Sequence, residues 1–338
     1  MAAKRAELTP EAVAFTDHDT GRSFTFCEVN SRASRLGNLL LDRGLGKGDR
    51  AAVLCLNHPD FFVLLFAAQK TGIQLVPLNW RQPVAELAPI LEASGARVLF
   101  HDGDCAETAG DLVSDTGIRL LPLGATRDAG SALDALLRNA SPAAIGCGRI
   151  RADAPWYLLF TSGTTGLPKA VIQTAGMAYA NMINYSQATG LTVGEKGVNF
   201  LPLFHTAGIN LPTLPIFLNG GSSTVLRKFD ADRDSGSDRC GRGNEFLWRA
   251  GDLSGAGAFT QDWQDGFFSG VRSLGCGGAP VPRHLLNDFR KRGVTICNGM
   301  GMTETGPTVF LMDKAHAAEK NRLGRQAADP DRRPARRR

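Results

Sequence analysis

Between residues 24 and 102 the apolar positions follow two rhythms that replace one another in turn. "FTFCEVNSRASRLGNLLLDRG" (24–44) spaces its apolar residues three and four apart and stops at a glycine, which predicts a helix with a glycine C-cap. "DRAAVLCL" is a short, nearly continuous apolar run, as expected of a buried strand. "HPDFFVLLFAAQKTG" reads as a helix ending in Gly72, and "IQLVPLN" as the next strand. "PVAELAPILEASG" and "ARVLFHD" repeat helix and strand. Such alternation builds βαβ units, so the predicted class is layered α/β with mainly parallel sheets.

The pattern resumes at "WYLLF" (156–160), a strand that runs straight into "TSGTTGLPKA". Next come "VIQT", a helix from about 175 to 188, the strand "VNFLPL", a helix after "FHTAG" and the strand "SSTVLRKF". "VRSLGCGG", "PRHLLNDFRKRG" and "VTIC" make strand, helix and strand again. Residues 103–155 are mixed and loop-like, and no internal repeat is visible. One stretch breaks both rhythms: "DSGSDRCGRGNEFLWRAGDLSGAG", from Asp234 to about Gly257, is rich in Gly, Ser, Asp and Arg. A loop or disorder is expected there, although a long structureless insert is unusual inside a compact domain.

Bulk properties sharpen this picture in one respect. The chain has 338 residues, 43% hydrophobic and 21% charged, enough for a large core, and its net charge is +5. The last eighteen residues, "NRLGRQAADPDRRPARRR", hold seven arginines and two aspartates and so supply that whole excess. Residues 1–320 are neutral as a body, and no field argues for a nucleic-acid partner. The seven cysteines are scattered with no C-x-x-C pair, as expected of reduced thiols. The start has no apolar leader, and the longest apolar run, "FFVLLFAA", is too short to span a bilayer. A soluble, cytoplasmic protein is expected; oligomeric state is not encoded legibly.

"TSGTTGLPKA" packs four hydroxyls, two glycines and a lysine directly after a strand. Glycines let backbone N–H groups approach an anion, hydroxyls add donors and Lys169 adds a compact positive charge, so the loop is suited to holding phosphates. The spacing is not that of a Walker A loop. The competing reading is an ordinary polar turn with a solvated lysine.

This string resembles the phosphate-binding signature of the adenylate-forming superfamily, which includes acyl- and aryl-CoA synthetases, peptide-synthetase adenylation domains and luciferases. "GCGGAPVP" (275–282) resembles the family's adenine-pocket stretch, and "NGMGMTETGP" (298–307) its aromatic-Gly-x-Thr-Glu motif. The three occur in family order, and the likeness covers nearly all of residues 5–233 and 268–320. The resemblance implies a large N-terminal domain whose Thr161, Ser162, Gly163, Thr164, Thr165, Gly166 and Lys169 wrap the β- and γ-phosphates of ATP. Gly277, Gly278, Ala279 and Pro280 would flank the adenine, and Asn298, Gly299, Met300, Gly301 and Met302 belong to the same pocket. Thr303 would hydrogen-bond the α-phosphate, and Glu304 would ligate Mg²⁺. Met300 departs from the family's usual aromatic, though a thioether can pack on adenine too. His205 in "LPLFHTAG" matches a position beside the acyl-carboxylate site. A structural histidine and a solvated carboxylate are the alternatives for His205 and Glu304.

The implied chemistry is attack of a carboxylate on ATP, giving acyl-AMP and pyrophosphate, then transfer of the acyl group to CoA. The family's ribose-binding aspartate, hinge and small C-terminal domain with its catalytic lysine lie further on in the family's pattern, and this chain is expected to lack them. Two rivals stay open: another adenylate-former, or a non-catalytic nucleotide-binding remnant with a functional basic tail.

The genetic code offers a reason for the two abnormal stretches. Back-translated with permissible codons and read one base later, the stretch from Asp234 yields "TLDLIAAAGVTNFFGVPAIYQAL", which has helical then β-rich periodicity and resembles the family at that point. The same operation turns the arginine tail into "IGSVGKPQILTDVRLVD". The expected organisation is therefore an AMP-binding domain over 1–233 and 263–320, an out-of-frame segment over 234–262 and an out-of-frame basic tail over 321–338. An impaired or inactive fragment of an acyl-CoA synthetase follows as the expectation.

Overall fold

The computed structural model describes residues 1–126, 130–146, 150–161, 168–228, 245–249, 273–278, 281–291 and 293–320. Strands of the first half are β1 (Val13–Asp17), β2 (Ser23–Thr25), β3 (Arg50–Leu54), β4 (Gln74–Pro77), β5 (Ala96–His101), β6 (Arg119–Pro122), β7 (Ala125–Thr126) and β8 (Gly130–Ser131). Those of the second half are β9 (Pro155–Thr161), β10 (Lys169–Thr174), β11 (Lys196–Asn199), β12 (Ser222–Val225), β13 (Glu245–Arg249), β14 (Ser273–Gly277), β15 (Ile296–Met302) and β16 (Gly306–Leu311). Six form one sheet in the order β10-β9-β4-β3-β5-β6, and eight form another in the order β16-β15-β14-β13-β11-β12-β1-β2. Within these two sheets the antiparallel pairings are β9 with β10, β15 with β16 and β1 with β2, each at a sheet edge. The interior pairings are parallel, as alternating helix and strand require.

The helix Pro59–Thr71 holds the two sheets together. Its residues from Pro59 to Ala68 are all buried, which an amphipathic surface helix never achieves. Phe62 stacks on Phe15 of β1 with ring centroids 4.6 Å apart, and Phe66 stacks on Phe217 at 4.7 Å. On the opposite side, Trp156 of β9 donates its indole N–H to the Leu65 carbonyl at 2.7 Å. One aromatic core thus joins a strand of each sheet through a single helix. The termini of this helix obey local rules: His58 caps the first turn by accepting from the Asp60 amide, and Gly72 closes the last at φ 75°.

Several sequence expectations change in detail. The helix expected over 24–44 runs Phe26–Asp42 and starts with a capping box between Thr25 and Glu28. The strand within "VNFLPL" stops at Asn199, whose side chain accepts from the Leu201 amide and turns the chain. The stretch expected to lack a strand between Asp234 and Gly257 contains β13. It pairs in parallel with β14 from Glu245 opposite Ser273 to Arg249 opposite Gly277, and touches β11 at Gly197. Phe246 and Trp248 are strong β-formers, and the place between β11 and β14 demands backbone partners. The rest of that stretch and the basic tail lie outside the described residues. Among the described residues no helix is long and apolar enough to cross a membrane.

Candidate nucleotide and acid site

The site forms where neighbouring parallel strands end. Beyond the carboxyl ends of β11, β14 and β15 lies a cleft of about 280 Å³. Open α/β sheets bind ligands at such carboxyl ends. One wall comes from the chain after β11: Leu201, Pro202, His205, Thr206, Ala207, Gly208 and Leu211. Gly277 and Gly278 at the end of β14, Gly299, Gly301 and Met302 of β15 and Thr303 just after it form the floor and far wall. Pro307, Thr308, Phe310 and Leu311 of β16 and Tyr185 complete it. No Asp, Glu, Lys or Arg lines the cleft among the described residues, so an anionic ligand meets no like charge there.

Glycine is structurally required at several of these positions. A Cβ on Gly301 would lie 1.9 Å from the Pro307 carbonyl oxygen, and one on Gly208 would lie 2.2 Å from the Pro202 carbonyl oxygen. Gly278 has open space around it but adopts φ +82°, a conformation that disfavours side chains. Gly301 and Gly208 thus bring backbone close to backbone, and Gly277, Gly278, Gly299 and Gly301 leave much of the floor without side chains.

His205 sits at the start of the short helix Thr206–Asn210, exposed at the cleft, with its ring centroid 4.6 Å from that of Phe204. Behind it, Asn210 donates to the Tyr157 hydroxyl at 2.7 Å and to the Thr206 hydroxyl at 2.9 Å. Complete burial holds the Tyr157 phenol well above its ordinary range, outweighing the hydrogen bonds from Asn210 and Thr206 that favour ionisation. This wall is therefore fixed by neutral hydrogen bonds.

Thr161 and Lys169 face each other at the loop end of the β9–β10 hairpin, Thr161 half-buried and Lys169 exposed. Neither lines the cleft. Ser162, Gly163, Thr164, Thr165 and Gly166, like Ala279 and Pro280, lie outside the described residues. Gln173 of β10 ties the hairpin to the cleft by donating its side-chain amide to the Thr303 carbonyl at 2.7 Å. Glu304 follows in an exposed turn, closed by Thr305 accepting from the Met302 amide at 3.2 Å. Met300 is exposed opposite Phe310, and Asn298 is half-buried on the same strand. These three do not line the cleft. A register shift between Met300 and Met302 separates Met300 from the cleft-lining Met302 and Thr303.

The structure thus places His205, Gly277, Gly278, Gly299, Gly301, Met302 and Thr303 around one cavity. It also contributes lining that sequence reasoning missed, notably Tyr185, Thr206, Leu211 and Phe310. Thr206 neighbours His205 in "LPLFHTAG", whereas Tyr185, Leu211 and Phe310 belong to none of the quoted motifs and only the tertiary fold gathers them. Among the described residues no group of three or more His, Cys, Asp or Glu side chains could hold a metal ion.

A model of the AMP-binding enzyme family matches residues 2–331. The chain belongs to that family. Among its curated relatives, feruloyl-CoA synthase of an Amycolatopsis species is 35% identical over 317 residues, covering 94% of this chain and 61% of the relative. Indoleacetate–CoA ligase of Aromatoleum aromaticum is 28% identical over 323 residues, covering 94% and 62%. The chain spans about three-fifths of the length of those relatives. The inhibitor-bound N-terminal domain of FACL13 from Mycobacterium tuberculosis superposes with a TM-score of 0.82 at 23% identity, covering 94% of this chain and 79% of that one. The fold is thereby that of the N-terminal domain of acyl-CoA synthetases, with mixed, largely parallel sheets.

Proposed function

We propose that this chain supplies the ATP- and acid-binding part of an AMP-forming acid–CoA ligase, and that its acid is an aromatic one. The observation that supports the reading most is the glycine floor of β14 and β15 shared with His205 and Thr303 in one cleft. A side-chain-free floor admits a planar base against backbone, while Tyr185, Leu201, Leu211 and Phe310 offer an apolar, partly aromatic wall to an acyl group. The likeness to feruloyl-CoA synthase supports the aromatic choice.

In the first step a carboxylate oxygen attacks the α-phosphorus of ATP, and the bond to pyrophosphate breaks. Thr303 donates to the α-phosphate, while residues 161–166 and Lys169 hold the leaving pyrophosphate. Gly277, Gly278, Ala279 and Pro280, with the strand 298–302, take the adenine. His205 orients the incoming carboxylate from the opposite wall. Such catalysis consists mainly of positioning and charge stabilisation. A lone exposed carboxylate such as Glu304 fits Mg²⁺, which takes most of its ligands from phosphate and water. When bound it neutralises phosphate charge. In the second step the CoA thiolate attacks the acyl carbon and AMP leaves.

The frame-shifted reading belongs to this proposal. The shifted string places "NFFGV" where β13 has "EFLWR", and we infer that a strand forms at 245–249 in that frame too, with different flanks. We expect the chain in its present frame to bind ATP and to turn over poorly. Equilibrium ATP binding and ATP–pyrophosphate exchange, with ferulate, hexanoate and palmitate, test this on the chain as it is and on a version with the frame restored over 234–262. Ferulate-dependent exchange by the restored version, at least about tenfold above the present one, is expected. Failure of both to bind ATP overturns the reading. ATP binding without exchange by the restored version favours a non-catalytic nucleotide-binding protein, as does salt-sensitive DNA binding lost on deleting 321–338.

A further inference from the structure

β10 inverts the usual pattern of an edge strand. Its apolar Ile172 is 53% exposed, while its polar neighbour Gln173 is 1% exposed. Burying an amide is costly unless it is hydrogen-bonded, and an apolar side chain would pack there with no such cost. The hydrogen bond that the amide makes among the described residues runs 2.7 Å to the Thr303 carbonyl, and its oxygen has no partner among them. Thr303 is 130 residues away in sequence, on the turn between β15 and β16. Opposite Gln173 in the hairpin register stands Tyr157, whose hydroxyl accepts from Asn210 behind the His205 wall. Paired residues of one hairpin therefore hold two walls of the cleft, and that hairpin ends in Thr161 and Lys169.

We propose that Gln173 is a positioning residue that sets the distance between the phosphate-holding end of the β9–β10 hairpin and the Thr303–Glu304 turn, so that both meet one triphosphate. This rests on the reading of the cleft as an ATP site. Gln173 acts through the Thr303 backbone and does not touch the nucleotide. Its loss therefore separates the phosphates from the base: adenine, held by the β14 end, keeps its contacts, while the triphosphate loses one of its two holders.

The test compares ATP and adenosine binding by equilibrium dialysis of the full chain, of Gln173→Leu and of the exposed-neighbour control Ile172→Ala. Gln173→Leu is expected to weaken ATP about tenfold, as when a buried carbonyl loses its donor, and to leave adenosine within about twofold. The control is expected to match the parent for both ligands. Equal weakening of ATP and adenosine would mark Gln173 as merely structural and overturn the proposal, as would unchanged ATP binding. If Gln173→Leu does not fold, Gln173→Glu keeps the shape but replaces the amide donor at neutral pH, and the same selective loss is expected. On the parent chain, hydrogen exchange should show ATP protecting the amides of 169–173 and 303–306 together; protection confined to one segment overturns the proposal. A parent chain that binds no ATP removes the ATP reading and this inference together, whereas parent binding with an unaffected variant removes the inference alone.

Discussion

The core around the helix Pro59–Thr71 and the glycine-rich edge at β14–β16 are built on opposite plans. In the first, Phe15, Phe61, Phe62, Phe66, Trp156 and Phe217 are buried and interlock, so side chains carry the stability. In the second, β15 and β16 leave Met300, Met302, Val309 and Phe310 48–52% exposed, and glycines line the cleft between them. The core has filled its volume with its own side chains, while the edge has spared volume for another molecule. That difference teaches where function lies: the site is where the fold forgoes packing.

The largest expected effect falls on the core. Phe62→Ala removes a ring stacked on Phe15 and packed edge-on against Phe61, both fully enclosed. Urea unfolding should show a loss of about 3–5 kcal/mol, a large fraction of an ordinary domain's stability. A loss below about 1 kcal/mol would mean that the helix between the sheets is not their joint, and the contrast between the two regions would fail.

A smaller but more telling effect belongs to the edge. Gly301→Ala puts a methyl group 1.9 Å from the Pro307 carbonyl oxygen, so the β15–β16 hairpin must spread. Overpacking of this kind costs about 1–3 kcal/mol, less than the core substitution. The spreading also shifts Thr303, so ATP affinity measured by dialysis should fall by more than the stability loss alone would suggest. Unchanged ATP binding with lowered stability would separate the hairpin from the site.

The legibility of these two regions in the sequence follows the same divide. Apolar periodicity located the helices and buried strands of the core, because burial on one or both faces leaves a repeating mark. "FFVLLFAA" identified the buried helix, though its place between two sheets came only with the fold. At the edge, "VRSLGCGG" and "VTIC" marked β14 and the start of β15, but β16, "GPTVFL", is too mixed to show a period. There the glycines and hydroxyls of the motifs were legible instead, since close backbone approach admits few residue types. Tyr185, Phe310 and Gln173 were invisible by either route: the first two meet the cleft only once the chain is folded, and Gln173 acts through Thr303, remote in sequence. β13 shows the converse, a strand held where local composition argued for a loop, because its neighbours supply the pairing.

Phe310→Ala is the smallest expected change in stability and the sharpest test of the contrast. The ring lines the cleft while half its surface remains in water, so folding has gained little from it. Truncation should alter urea stability by no more than about 0.5 kcal/mol, as for most surface positions. An aryl acid seated against the ring would bury the remaining apolar surface, and a fully buried phenylalanine contributes about 1.5–3 kcal/mol. Half of that corresponds to a weakening of about tenfold or less in acid affinity, read by calorimetric titration of ferulate. A large stability loss with unchanged ferulate affinity would make Phe310 a core residue and erase the distinction between the two regions. The reverse result would show the same residue type stabilising the fold at Phe62 and reserved for a ligand at Phe310.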